Sequence, residues 1–191
     1  MKCPVCKGNS LEKHELEAGL PAHRCTVCQG VWLSAGEYWP WRRALGKKEL
    51  AAELEPPVTV TPIEDVSQVK QCPECEHILR RYQVWPNVQF YLDRCSQCGS
   101  VWFDRDEWSY VKKQGVHSHV HLVFTDTWQE RIRAEEMRQH MDLIYLERFG
   151  AQDYQQIQEI RQWLWEHPKR AALLAFLTDR DPYQAVSGSG S

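Results

Sequence analysis

Apolar and polar positions change period along the chain, and each change predicts an element. Arg81-Tyr82-Gln83-Val84-Trp85 and Val88-Gln89-Phe90-Tyr91-Leu92 alternate on either side of Pro86-Asn87, which predicts a β-hairpin. An earlier, weaker hairpin has its turn marked by Gly19 and Pro21. Trp39-Pro40-Trp41-Arg42-Arg43 then leads into a helix predicted to run through Leu54, with Pro40 placed in the first turn where a missing N–H is tolerated. Pro56-Pro57 stops it, and Val58–Val69 reads as an extended connector. Beyond residue 121 the spacing becomes helical. Asp126 with Gln129 predicts a capped helix ending at Gly150, with Trp128, Ile132, Met141, Ile144, Tyr145 and Phe149 largely on one face. Asp153 with Gln156 starts a second helix bearing Tyr154, Ile157, Ile160 and Leu164, and Pro168 opens a third over Lys169–Leu177. The three helices are expected to make a hairpin-like pack against a ribbon or a second protomer, with these apolar faces forming a core.

The eight cysteines fall into four Cys-x-x-Cys pairs: Cys3 and Cys6, Cys25 and Cys28, Cys72 and Cys75, Cys95 and Cys98. Eighteen residues separate Cys6 from Cys25 and nineteen separate Cys75 from Cys95, a spacing that suits two tetrahedral metal sites. Two sulfurs on one tight turn grip an ion, and a hairpin returns the second pair to close the shell. Disulfides fit poorly in a chain that opens without a secretory signal. A thioredoxin-like motif would need a βαβ setting. Iron also suits four thiolates, but the repeat of a complete ligand set favours Zn²⁺, two ions with one per four-cysteine site.

The repeat extends past the cysteines. Gly30-Val31-Trp32-Leu33-Ser34-Ala35-Gly36-Glu37 aligns with Ser100-Val101-Trp102-Phe103-Asp104-Arg105-Asp106-Glu107, and Cys3-Pro4-Val5-Cys6 with Cys72-Pro73-Glu74-Cys75. Trp32 and Trp102 are expected to cover the small metal cores. Ser34 with Glu37, and Asp104 with Glu107, predict capping boxes that start a helix after each last cysteine pair. Cys-Pro-x-Cys followed by Cys-x-x-Cys-x-Gly-Val-Trp-Leu-x-x-Gly-Glu resembles the TFIIB-type zinc-ribbon family of small prokaryotic proteins. The resemblance covers about residues 1–45 and again 70–113; the second copy departs at Ser100 and Asp106. It implies a zinc-bound β-ribbon. The transcription label attached to the ribbon does not by itself fix a function.

The predicted fold class is small α+β: two tandem zinc β-ribbons, each followed by a helix, plus a C-terminal helical region. The expected divisions are 1–48 for ribbon one with its trailing helix, 49–70 for the helix end and acidic, Pro-containing connector, 71–114 for ribbon two, 115–186 for the mainly helical region and 187–191 for a Gly/Ser linker. The net charge of −3 and pI near 6.2 argue against binding nucleic acid by overall positive charge. The charge is uneven, however: residues 1–48 carry eight bases against four acids, and 49–70 five acids against one base. With mean hydropathy of −0.58 and no long apolar run, a membrane span is not expected and the chain reads as cytoplasmic.

There is no phosphate loop, nucleophile elbow or His-Glu-x-x-His motif, and all eight cysteines are assigned to closed structural sites, so no catalytic residue is expected. His117, His119 and His121 would share a face on a strand; with no spare carboxylate or cysteine nearby, a partly exposed strand or loop is favoured over a third metal site. The leading functional reading is a non-catalytic adaptor with a protein partner, and Trp39, Trp41, Arg42 and Arg43 as partner-binding candidates. The alternative is a nucleic-acid-binding regulator using the basic first ribbon, with Lys7, Lys13, Arg24, Arg42, Arg43, Lys47 and Lys48. Whether the helical tail self-associates is left open by the sequence.

Overall fold

The computed structural model describes residues 1–8, 10–45 and 68–183. The end of the expected first helix through Leu54, Lys47 and Lys48, most of the connector and the 187–191 linker lie outside them. Two compact units are present, 1–137 and 138–191.

In the first unit each ribbon contributes three antiparallel strands. Ribbon one has β1 (Leu11–Glu17), β2 (Leu20–Cys25) and β3 (Val31–Leu33); ribbon two has β4 (Leu79–Gln83), β5 (Tyr91–Cys95) and β6 (Val101–Phe103). The two halves join edge to edge. β3 pairs antiparallel with β6, Val31 opposite Phe103, Trp32 opposite Trp102 and Leu33 opposite Val101, giving one six-stranded sheet in the order β1-β2-β3-β6-β5-β4. Each ribbon thereby satisfies the strand edge that the other would leave open.

Alternation along β3 and β6 divides the core in two. Val31, Leu33, Val101 and Phe103 join a large cluster with residues of the helices, while Trp32 and Trp102 join a second cluster with Cys3, Cys25, Cys72 and Cys95. Both tryptophans are 0% exposed. The helix side is covered by α1 (Ala35–Ala44) and α2 (Glu107–Lys113), followed by a 3-10 turn at His117–His119, α3 (Val120–Val123) and the start of α4 (Asp126–Phe149). Trp41 on α1 meets Trp108 on α2 with ring centroids 6.3 Å apart, so the two ribbons also share their helical layer.

Several expectations need correction. Helix α1 starts at Ala35, which puts Pro40 in its interior rather than its first turn. The capping boxes are each half made: the Ser34 hydroxyl accepts the Glu37 N–H (3.2 Å), whereas in ribbon two the Glu107 carboxylate accepts the Asp104 N–H (2.7 Å). The Asp104 side chain binds Lys70 and Trp102 instead, and α2 begins only after Asp106, in the left-handed region at φ 66°. Pro86-Asn87 is not a two-residue turn; the strands stop at Gln83 and resume at Tyr91 because Val84, Trp85 and Phe90 turn into the core. The Asn87 N–H and Gln83 side chain are held by Glu136 (3.0 and 2.6 Å). Thr125, not Asp126, leads α4, its hydroxyl accepting the Trp128 N–H at 3.3 Å. The histidines lie on helical turns rather than a strand.

The second unit holds the remainder of α4, α5 (Ala151–Glu166) and α6 (Arg170–Thr178). Gly150, at φ 79°, makes the turn between α4 and α5, so α5 starts just after it rather than at Asp153. Of the apolar face expected on α4, Ile132 is buried and Trp128 packs on the first unit's cluster, but the described residues of the second unit form no core of their own. Leu164 is the one buried apolar residue among the described residues of this unit, while Tyr145, Phe149, Ile157 and Ile160 are exposed. A helix pair with a short third helix supplies no second layer to bury those faces. No helix among the described residues is long and apolar enough to cross a membrane.

Candidate metal centres

Each metal site is built from two turns of identical design. The residue after each pair's second cysteine has a positive φ: Lys7 at 56°, Gln29 at 65°, Glu76 at 61° and Gly99 at 77°. At each turn the N–H of that residue returns to the carbonyl of the pair's first cysteine, at 2.9, 3.0, 3.0 and 3.0 Å. This left-handed step aims both sulfurs of a pair to one side. The hairpins β1–β2 and β4–β5 then bring the pairs together, with Leu11 opposite Cys25 and Leu79 opposite Cys95.

The sulfurs of Cys3, Cys6, Cys25 and Cys28 all lie within 4.8 Å of one another, as do those of Cys72, Cys75, Cys95 and Cys98. The close approaches are Cys3 to Cys28 at 3.6 Å, Cys6 to Cys25 at 3.9 Å, Cys72 to Cys98 at 3.6 Å and Cys75 to Cys95 at 3.4 Å. A Zn–S bond of ~2.3 Å places tetrahedral sulfurs ~3.8 Å apart, so both sets fit zinc. No pair is joined as a disulfide. Burial pushes the Cys3 thiol up to about 11 and raises Cys28 and Cys72, while at Cys25 burial is outweighed by the N–H groups of Cys28 and Val27, which bring it down to about 7. Four crowded thiolates need a cation, and zinc supplies it with release of protons. Among the described residues these are the two groupings suited to a metal, and His117, His119 and His121 form no third one.

Around these matched sites the two ribbons differ sharply. Trp32 donates its indole N–H to Glu74 of ribbon two (3.2 Å), and Glu74 also accepts the Ser100 hydroxyl (3.1 Å). Trp102 donates to Asp104 at 2.6 Å. Lys70, 1% exposed, bridges Asp93 at 2.5 Å and Asp104 at 2.7 Å. Burial alone would discharge the lysine, but the two carboxylates outweigh it and hold the ammonium charged. Glu107, 1% exposed beside this cluster, is raised well above the usual carboxylate range by burial and by the Asp104 charge. Its partner in the repeat, Glu37, is exposed. Sequence alignment equated the two glutamates; nothing in the cysteine pattern pointed to Lys70 or Asp93.

The expected partner-binding residues separate. Trp41 is buried at 6%, against Tyr38, Trp108 and His117. Trp39 is 41% exposed, with His121 at 5.0 Å and Tyr38 at 5.3 Å between ring centroids. The Arg42 guanidinium lies 6.0 Å from the Trp39 ring and donates to the Ser118 carbonyl at 2.9 Å. Arg43 is exposed.

Comparison with curated proteins and with solved structures gives no match. A family model described as a transcription factor zinc-finger matches residues 2–43 and 71–114. With the two complete four-cysteine sets, the match is consistent with two copies of a TFIIB-type zinc ribbon, joined here through one sheet.

Proposed function

We propose that the chain is a non-catalytic zinc-binding adaptor that takes a protein partner at the surface around Trp39. The observation that carries this reading is a half-exposed tryptophan with its neighbours fixed in place. Trp39 stands between Tyr38 and His121, beside an Arg42 tethered to Ser118, with Arg43 exposed next to it. Trp and Arg on a rigid base suit a binding hot spot, because little side-chain freedom remains to be lost on binding. Zinc serves the scaffold: four thiolates fill each tetrahedron and leave no position for water or substrate. Eight cysteines with no disulfide among them suit a reducing compartment, and we expect the protein to act in the cytoplasm.

The test is affinity capture of the tagged full chain from its host, with and without nuclease, followed by binding of the purified partner to wild type and to Trp39→Ala. The expected result is a protein partner that survives nuclease. Trp39→Ala should weaken its binding about tenfold or more, roughly 1.4 kcal/mol, with an unchanged melting temperature. Recovery of nucleic acid, with partners lost on nuclease treatment, would reverse the reading in favour of a regulator using the basic residues of ribbon one.

A further inference from the structure

The second unit carries twelve exposed large apolar side chains between residues 138 and 183 and a single buried one, Leu164. Isolated exposed apolar residues are ordinary, but this density on so few residues marks an interaction surface. A groove runs between α4 and α5, lined by Met141, Tyr145, Phe149 and Ile157, with Arg138 and Arg161 also lining it. None of its lining residues comes from α6. Helix α6 is more apolar than α1, α4 and α5, buries none of its residues and exposes Leu174, Phe176 and Leu177 at 38%, 49% and 58%. Asp179 and Asp181 follow it and are exposed.

We propose that the α4–α5 groove receives α6 of a second copy of this chain, and that the exchange is reciprocal, forming a closed dimer. Length, charge and area all support this occupant. At ~1.5 Å per residue, the nine residues of α6 span about 14 Å and the stretch of α4 from Phe149 to Arg138 about 16 Å. Seated with its first turn near Phe149, α6 brings its negative C-terminal end, Asp179 and Asp181 to Arg138 and Arg161. Residues 138–183 carry six bases and seven acids, so two copies meet without net repulsion. Counting about 200 Å² for a whole aromatic side chain, Tyr145 and Phe149 in the groove and Phe176 on α6 together expose roughly 250 Å². A standard interface takes roughly 800 Å² from each partner, and the neighbouring aliphatic and arginine stems supply the remainder. Reciprocal exchange buries both features at once and leaves no open end for further growth.

Sedimentation velocity of the full, zinc-loaded chain over a wide range of concentration tests this. The expected mass is twice that of the chain. Phe176→Asp alone, and Arg138→Glu with Arg161→Glu, should each return it to a monomer with unchanged helical circular dichroism. Adding Asp179→Arg and Asp181→Arg to the double arginine variant should restore the doubled mass. A wild type that stays monomeric at every concentration overturns the proposal, as it would if α6 closed on its own chain or the groove served a different protein. A dimer that persists in Phe176→Asp, or charge reversal that fails to restore it, overturns the assignment of α6 to the groove.

Discussion

Gly30 of ribbon one packs directly against Trp102 of ribbon two, and Gly30→Ala tests whether their union holds the first unit together. A Cβ built at Gly30 would stand 2.1 Å from Cζ2, 2.8 Å from Cη2 and 2.9 Å from Cε2 of Trp102. Ordinary contact begins near 3.4 Å, so the indole must retreat by about 1.3 Å. It has no room: Trp102 is 0% exposed and its N–H is fixed on Asp104 at 2.6 Å. Overpacking of a tight core costs about 1–3 kcal/mol. Breaking a buried hydrogen bond to a carboxylate adds about 1.5–3 kcal/mol. A loss of about 3–5 kcal/mol follows, and in a unit of this size that lowers the melting temperature by roughly 10–15 °C. Scanning calorimetry of the zinc-loaded protein reads the shift, and a metal assay should still find two zinc ions, since no cysteine moves. Gly36→Ala is the control: its new Cβ would meet only the Ser34 hydroxyl, at 3.8 Å, and in a helix it should leave stability unchanged or raise it by about 0.4–1 kcal/mol. A Gly30→Ala protein that melts within about 3 °C of wild type would refute the idea that the Trp102–Gly30 contact locks the ribbons.

The buried charge cluster of ribbon two should respond asymmetrically to substitution. Lys70→Met strands Asp93 and Asp104 without their shared cation and should cost about 3–5 kcal/mol in denaturant unfolding. Glu107→Gln keeps the side chain's size and removes its titration. Because the folded-state pKa of Glu107 is raised, the unfolded chain ionises first as pH rises above the ordinary glutamate value near 4.5. Wild type then loses stability that Glu107→Gln keeps, and the variant's advantage should grow with pH. An advantage that shrinks with rising pH would show that Glu107 is ionised in the fold. Zinc removal by a strong chelator should unfold both ribbons, since structural zinc contributes about 10–16 kcal/mol against a typical total stability of about 5–15 kcal/mol. The readout is a red shift of tryptophan emission as Trp32 and Trp102 reach water, and a chelated protein with native emission would contradict a metal-dependent core.

The sequence by itself determined the two metal sites, the repeat and the strand-and-helix content. Those features are local: a Cys-x-x-Cys turn, a two-residue alternation or a glycine after a helix acts through atoms only a few residues away. Thus all eight ligands, the Gly150 break and the burial of Trp32 and Trp102 were legible. Tertiary structure alone decided how the copies combine, because β3 meets β6 and Gly30 meets Trp102 across some 70 residues, and no local pattern encodes that pairing. It also separated residues that alignment makes equivalent. Glu37 lies in solvent and Glu107 in a buried charged cluster, because Lys70 and Asp93 surround only the second. The apolar faces of α4 and α5 show the same limit from the other side. Periodicity marks which residues share a face, but whether that face is covered depends on a neighbour that the helix's own sequence does not specify.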